Sequence, residues 1–441
     1  MSKTVSINKD ILNLAIPNIV TNITVPLLGI VDLALMGHLN DPVYIGAIAL
    51  GSIIFNVIYA SFNFLRMGST GLTAQAWGAN NTNDISLVLI RSIIVAFGLA
   101  LLLIIFQYPI QWLSFLVLDG SNEVRLLAQE YYYIRIWAAP ATIGLYAFYG
   151  WFLGAQNAKI PMIIAITINV VNIGLNFLFV MVFNMTSDGV ALATVIAQYT
   201  GLTMALIFFF KKYPKYAIKF SLHIIFQTEA IIKFFRVNSD IFIRTFLLLL
   251  TLAFFTNTSA KMGDNILAIN TLLFQFFFIF SYFADGFAYA GESLTGKSYG
   301  AKDKLVLKYT INHLLYWGWG AAMITSLFYI IGLDFSMGFL TSNEMIKDMA
   351  NDYKIWVIII PLTSTAAFIW DGIYVGVTAS KETRNVMIIS SVVVFLPSYY
   401  LTQGIWGNDA LWFALNMFLA SRTVLMWLWW KMNIKNKILI P

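Results

Sequence analysis

The chain has no cysteine among its 441 residues, which excludes disulfides, thiolate nucleophiles and cysteine-ligated metals. Charge is also scarce: 11% of residues are charged, against roughly 25% in a soluble domain. With 59% hydrophobic residues, a soluble fold of this size could not cover its own apolar surface, whereas a bilayer removes that demand. Only three histidines occur, His38, His223 and His313, each at or near a predicted helix end. No H-E-x-x-H or G-x-S-x-G pattern accompanies them. An intramembrane enzyme would need a nucleophile–base pair or a metal cluster on facing helices, and neither is visible. Neither an enzyme nor a bound cofactor is expected.

Long apolar runs are what the sequence does have. A spanning helix needs about 20 mostly apolar residues, and such runs fall at 11–36, 45–70, 86–108, 129–153, 161–183, 189–210, 241–260, 265–291, 308–332, 353–376, 385–404 and 409–430. The first is too long for a signal-peptide core and lacks a small-residue cleavage site after it. The expected fold is therefore an all-α polytopic membrane protein of about twelve transmembrane helices.

The net charge of +6 does not point to nucleic acid, because the bases sit in loops. Lys211, Lys212, Lys215, Lys219, Lys233 and Arg236 fill the connection after the sixth run, and Lys297, Lys302, Lys304 and Lys308 the one after the eighth. Lys381 and Arg384 follow the tenth, and Lys3, Lys9, Lys431, Lys435 and Lys437 lie near the ends. Twelve spans put all of these on one side, opposite Asp41, Asp119, Glu123, Asp334, Glu344, Asp348 and Asp409. The excess of bases makes that side, with both termini, cytoplasmic.

The chain also repeats itself. Gly150-Trp-Phe-Leu-Gly154 returns as Gly372-Ile-Tyr-Val-Gly376, 222 positions on. Thr73-Ala-Gln-Ala-Trp-Gly78-Ala79 returns at the same offset as Thr295-Gly-Lys-Ser-Tyr-Gly300-Ala301, and Pro140 and Pro361 keep step. Six spans bring each half back to its starting side, so the halves share an orientation, related by an axis along the membrane normal with substrate passing between them. The expected organisation is an N-terminal lobe over 1–210, a basic cytoplasmic linker over 211–240 and a C-terminal lobe over 241–441.

Polar residues within the apolar runs are the candidate site. Asp32 lies in the first, where an ionisable residue at mid-span costs about 2.5–3.5 kcal/mol. Burial disfavours the charged form of such a carboxyl, so it could exchange a proton or pair with sodium; a structural hydrogen bond is the alternative. Asn169, Asn172 and Asn176, at spacings of three and four, share one face of the fifth helix. With Thr194 they could form a site, or simply hold helices together. The second half carries Asp285 and Glu292 on one face of the chain's eighth helix and Asp371 in the tenth, with Arg244 and Lys297 as bases to neutralise them. Internal ion pairs and ion coupling both fit that set.

Gly291-Glu-Ser-Leu-Thr-Gly296-Lys297-Ser298 fits the spacing of a nucleotide-binding P-loop. That motif works only between a strand and a helix, where backbone amides cradle phosphates. Here it follows a long apolar helix, and the first half has Ser69, Ala74 and Gln75 where the second has Gly291, Gly296 and Lys297. The match is set aside.

Several stretches look familiar in combination. Asn22-Ile-Thr-Val-Pro-Leu-Leu-Gly-Ile-Val-Asp32 with Met36-Gly-His-Leu39 resembles the first helix of the DinF-like branch of the multidrug and toxic compound extrusion (MATE) transporters. So do Phe64-Leu-Arg-Met-Gly-Ser-Thr-Gly-Leu-Thr-Ala-Gln-Ala-Trp-Gly78, Asp285-Gly-Phe-Ala-Tyr-Ala-Gly-Glu292 and Asp371-Gly-Ile-Tyr-Val-Gly376 in their own helices. The resemblance implies two pseudo-symmetric six-helix lobes forming a V-shaped central cleft. It implies alternating access and export of lipophilic or cationic compounds in exchange for protons or sodium. A monomer in the lipid of a bacterial-type inner (plasma) membrane is expected. Asp32 falls on the family's first-helix aspartate, the leading candidate for coupling, and Asn172 and Thr194 fall on its partners. Asn176 departs from the pattern, since many relatives carry aspartate there. One fewer negative charge weakens a sodium site at Asp32, Asn172, Asn176 and Thr194, and leaves proton coupling as the simpler expectation. Asp371 falls on a tenth-helix aspartate implicated in some members. A lipid-linked precursor flippase can share this architecture, but it would call for a cationic cleft, and the interior offers few bases beyond Arg135 and Arg244.

Overall fold

The computed structural model describes residues 2–37, 42–118, 120–218, 220–341 and 343–434, with the backbone alone for 2–5, 25–37, 42, 433 and 434. Among these residues every regular element is helical and none is a strand. Apolar segments of this length leave little choice, because in lipid a helix satisfies its backbone groups within itself. Helix α1 is Ser2–Gly37. Eleven helices among the described residues are long and apolar enough to cross a membrane: α2 Val43–Gly78, α3 Thr82–Ile105, α4 Asn122–Gly154, α5 Lys159–Val182, α6 Ser187–Lys212, α7 Thr228–Lys261, α8 Asp264–Gly300, α9 Lys304–Leu340, α10 Lys354–Gly376, α11 Ser380–Trp406 and α12 Asn408–Met432. Together with α1 they coincide with the twelve apolar runs.

The helices form two compact units: Val20–Ile231, and Ile232–Pro441 together with Met1–Ile19. Helix α1 is thus divided between them. Its first part buries Ile11, Leu14 and Ala15, and its Asn8 Oδ1 accepts from Trp317 Nε1 at 3.1 Å. It comes so close to α8 that a Cβ on Gly286 would meet the carbonyl of Ala15 at 3.0 Å. Between α6 and α7 the chain makes a short helix, Leu222–Ile225. Its last carbonyls, of Ile225 and Ile224, accept from Arg91 Nε and Nη2 of α3 at 2.9 and 3.0 Å. A cation placed on free carbonyls at a helix end is favourable, so this connection is fastened to the first unit.

The internal repeat is physical. Each unit has an aromatic core, around Trp151, Phe148 and Phe152 in the first and around Trp412, Phe255 and Phe280 in the second. Helices α2 and α8 end at Gly78 and Gly300, followed by Asn80 and Lys302 in the left-handed region with φ of 54° and 57°. Asn81 and Asp303 then cap α3 and α9, accepting from Asp84 N at 3.2 Å and Val306 N at 3.0 Å. Helices α4 and α10 end at Gly154 and Gly376, followed by Gln156 and Thr378 with φ of 64° and 54°. Glycine is required at those two ends by close approach. A Cβ would lie 2.7 Å from the Thr70 carbonyl at Gly154 and 2.6 Å from the Glu292 carbonyl at Gly376. Small residues spaced by four let membrane helices touch backbone to backbone, and both repeats use them identically.

The P-loop look-alike at Gly291–Ser298 lies wholly inside α8, and all of it except Lys297 is buried. It offers no loop for a phosphate.

Candidate functional site

In the first unit the asparagine face of α5 turns inward. Asn172 and Asn176 are 1% and 0% exposed, while Ile173, Gly174 and Phe177 on the other side are exposed. Asn176 Nδ2 donates to Asn172 Oδ1 at 2.8 Å, and Asn172 Nδ2 donates to Thr194 Oγ1 of α6 at 3.1 Å. Thr194 Oγ1 in turn donates to the Val190 carbonyl at 3.0 Å. A buried amide costs free energy unless its donors and acceptors are met, and here each donor feeds the next acceptor without any net charge. Asn169, half-buried one turn earlier, donates through Nδ2 to the Thr24 carbonyl of α1 at 3.0 Å. The asparagine stripe therefore packs on α1 at one end and on α6 at the other. Asp32 lies within the α1 helix, but its side chain is outside the described residues.

The second unit builds its interior from charge. Asp371 of α10 is 3% exposed and accepts through Oδ2 from Arg244 Nη2 of α7 and Arg422 Nη2 of α12. Arg422 is among the largest fully buried side chains, 2% exposed. Three helices thus converge on one carboxylate. Its other oxygen and the Nε of both arginines are buried without hydrogen-bond partners, so the cluster is tight but incompletely satisfied. Asp285 of α8 lies close enough for its charge to act on Arg422. Glu292, two turns further along α8, is 1% exposed.

Of the five second-half residues considered for ion pairing or coupling, Asp371 and Arg244 pair with each other. Lys297 is exposed near the end of α8 and pairs with none of these carboxylates among the described residues. Its place is taken by Arg422, which sequence reasoning missed. The signal was available: an arginine inside the last apolar run must find a carboxylate or leave the bilayer. A second ion pair, Arg384 Nη1 with Asp240 Oδ1 at 2.6 Å, joined by Ser380 Oγ on Oδ2 at 3.0 Å, ties the start of α11 to α7. No group of three or more metal-ligating side chains occurs among the described residues.

Comparison with known proteins follows the same lines. Residues 17–178 and 241–401 match the MatE family, one match in each half. DNA damage-inducible protein F of Escherichia coli is 35% identical over 431 residues, covering 98% of this chain and 94% of that protein. Multidrug and toxin extrusion protein 1 of Pongo abelii is 31% identical over 211 residues, covering 46% of this chain and 35% of that protein. Among solved structures, an outward-facing multidrug resistance MATE family transporter of the MOP superfamily superposes with a TM-score of 0.89 at 18% identity, covering 97% of this chain and 96% of that one. At that identity the likeness speaks for the fold.

Proposed function

Because the chain belongs to the MatE family of integral membrane transporters, which are not enzymes, we propose that it is a secondary active multidrug exporter. It moves lipophilic or cationic compounds outward by alternating access in exchange for protons. Asp32 is the coupling group, with Asn172, Asn176 and Thr194 as its neutral partners. Protonation removes the Asp32 charge and favours one arrangement of α1, and ionisation favours the other. Pro17 and Pro26, each lacking a backbone donor, make bending of that helix inexpensive.

The observation that carries this reading is the uncharged hydrogen-bond chain from Asn176 to Thr194, together with the Asn169 contact to Thr24. That contact fixes the register of α5 against α1. Asp32 follows Thr24 by roughly two turns, and Asn172 and Asn176 follow Asn169 by roughly one and two. A lone carboxylate beside neutral amides suits a proton better than sodium, which favours several negative or carbonyl oxygens. In the other unit Asp371 already holds two guanidinium groups, which supports an architectural role and leaves coupling to Asp32. The same pairing weighs against a lipid-linked precursor flippase, since it withdraws Arg244 and Arg422 from any phosphate head group.

The test is dye efflux from proteoliposomes under separately imposed proton and sodium gradients. Wild type should respond to the proton gradient, and Asp32→Asn should insert normally yet lose coupled efflux. Undiminished efflux by that variant would overturn the mechanism. Drive by sodium alone would overturn the reading of Asn176.

A further inference from the structure

Arg135, in α4 of the first unit, is a half-buried cation with no carboxylate partner among the described residues. Its Nη1 donates to Ser52 Oγ of α2 at 3.2 Å and to Tyr131 Oη. The guanidinium lies 4.9 Å from the centre of the Phe55 ring and 5.3 Å from that of Tyr131. Hydroxyl dipoles and ring faces hold a cation in place, but they leave its unit charge uncompensated. Arg135 Nε is buried with nothing accepting from it. Arg244 and Arg422 in the other unit both rest on Asp371. Immediately after Arg135 the helix tightens into a 3₁₀ turn over Ile136–Ala138, ahead of Pro140. At the matching place in the second unit, α10 stays α-helical through Pro361.

We propose that Arg135 is an anion-binding position. It takes the acidic group of an amphipathic ligand, a carboxylate, sulfonate or phosphate, at the part of its side chain that the buried rings of Phe55 and Tyr131 leave uncovered. An ionisable group within a spanning helix is tolerated when something neutralises it, and among the described residues no carboxylate does so here. A guanidinium gives an oxyanion charge-assisted hydrogen bonds, which are stronger than those it gives to hydroxyls. This deepens the exporter reading, on which its biological meaning rests, by adding acidic and zwitterionic amphiphiles to the cargo.

The experiment is equilibrium binding, with no gradient, to the full-length protein in phosphatidylcholine nanodiscs, using radiolabelled decanoate and decyltrimethylammonium after subtraction of empty discs. Arg135→Gln should weaken decanoate binding about ten-fold or more, equivalent to at least about 1.4 kcal/mol, while leaving the quaternary amine unchanged. Arg135→Lys should retain most of the decanoate affinity. Unchanged decanoate binding by Arg135→Gln, or an equal loss for both ligands, would overturn the proposal. Should Arg135→Gln fail to fold, wild-type competition decides: octyl sulfate must displace decanoate and decyltrimethylammonium must not. Discs containing phosphatidylglycerol separate two sources of the anion. A fall in decanoate affinity that Arg135→Gln does not share assigns the site to a lipid phosphate, and no such fall assigns it to a free amphiphile. Binding without any gradient-driven transport would sink the exporter reading and leave this one standing.

Discussion

The two units share their turns and differ in their charge. Helix ends, caps and backbone-to-backbone glycine contacts recur at one offset, yet at the candidate site the first unit links two amides and a threonine where the second joins a carboxylate to two arginines. Contacts that determine how helices meet have been kept in both copies. Groups that determine what charge the interior carries have diverged. The lesson is that internal symmetry identifies the scaffold, and departures from it identify where function differs.

The comparison can be broken most severely at Asp371. Asp371→Ala leaves two buried guanidinium groups without a counter-charge, and removing one partner of a buried pair costs about 3–5 kcal/mol. Thermal unfolding in detergent should show a large loss of stability, partly restored when Arg422 is replaced by Met in the same chain. A small loss from Asp371→Ala alone would mean that the ionic cluster is not what holds α7, α10 and α12 together. The milder blow falls on the first unit. Asn172→Ala removes a link in a neutral chain, and membrane hydrogen bonds are worth about 0.6–2 kcal/mol each. Its unfolding midpoint should move far less than that of Asp371→Ala, while proton-driven efflux falls more. Equal stability losses would erase the distinction drawn between the neutral chain and the ionic cluster.

Much of the architecture was legible because lipid allows few solutions. Twelve apolar runs became helices, and the recurrence of Gly150-x-x-x-Gly154 at Gly372 marked where both copies pack tightly. Asn172, Asn176 and Thr194 were readable as a cluster because spacings of three and four force amides onto one helical face. The ion-pair partners were less so. Lys297 and Arg244 look equivalent in sequence, but a long side chain near a helix end can reach water, and Lys297 is exposed. Arg422 carries no periodic signal at all: one base in an apolar stretch says that it needs a partner, not which helix provides it. The division of α1 between the units was equally invisible, since an unbroken apolar run does not show where its neighbours change.

Four of the left-handed positions that terminate helices in both repeats hold Asn80, Gln156, Lys302 and Thr378, with no glycine among them. Side chains other than glycine tolerate that conformation at a cost of order 1 kcal/mol, so each turn stores a little tension. Lys302 is exposed, and Lys302→Gly should release part of it, raising the unfolding midpoint slightly without touching efflux. The shape of these corners matters more than the identity of their occupants, which makes them convenient anchor points for fluorescent labels or for engineering a sturdier protein.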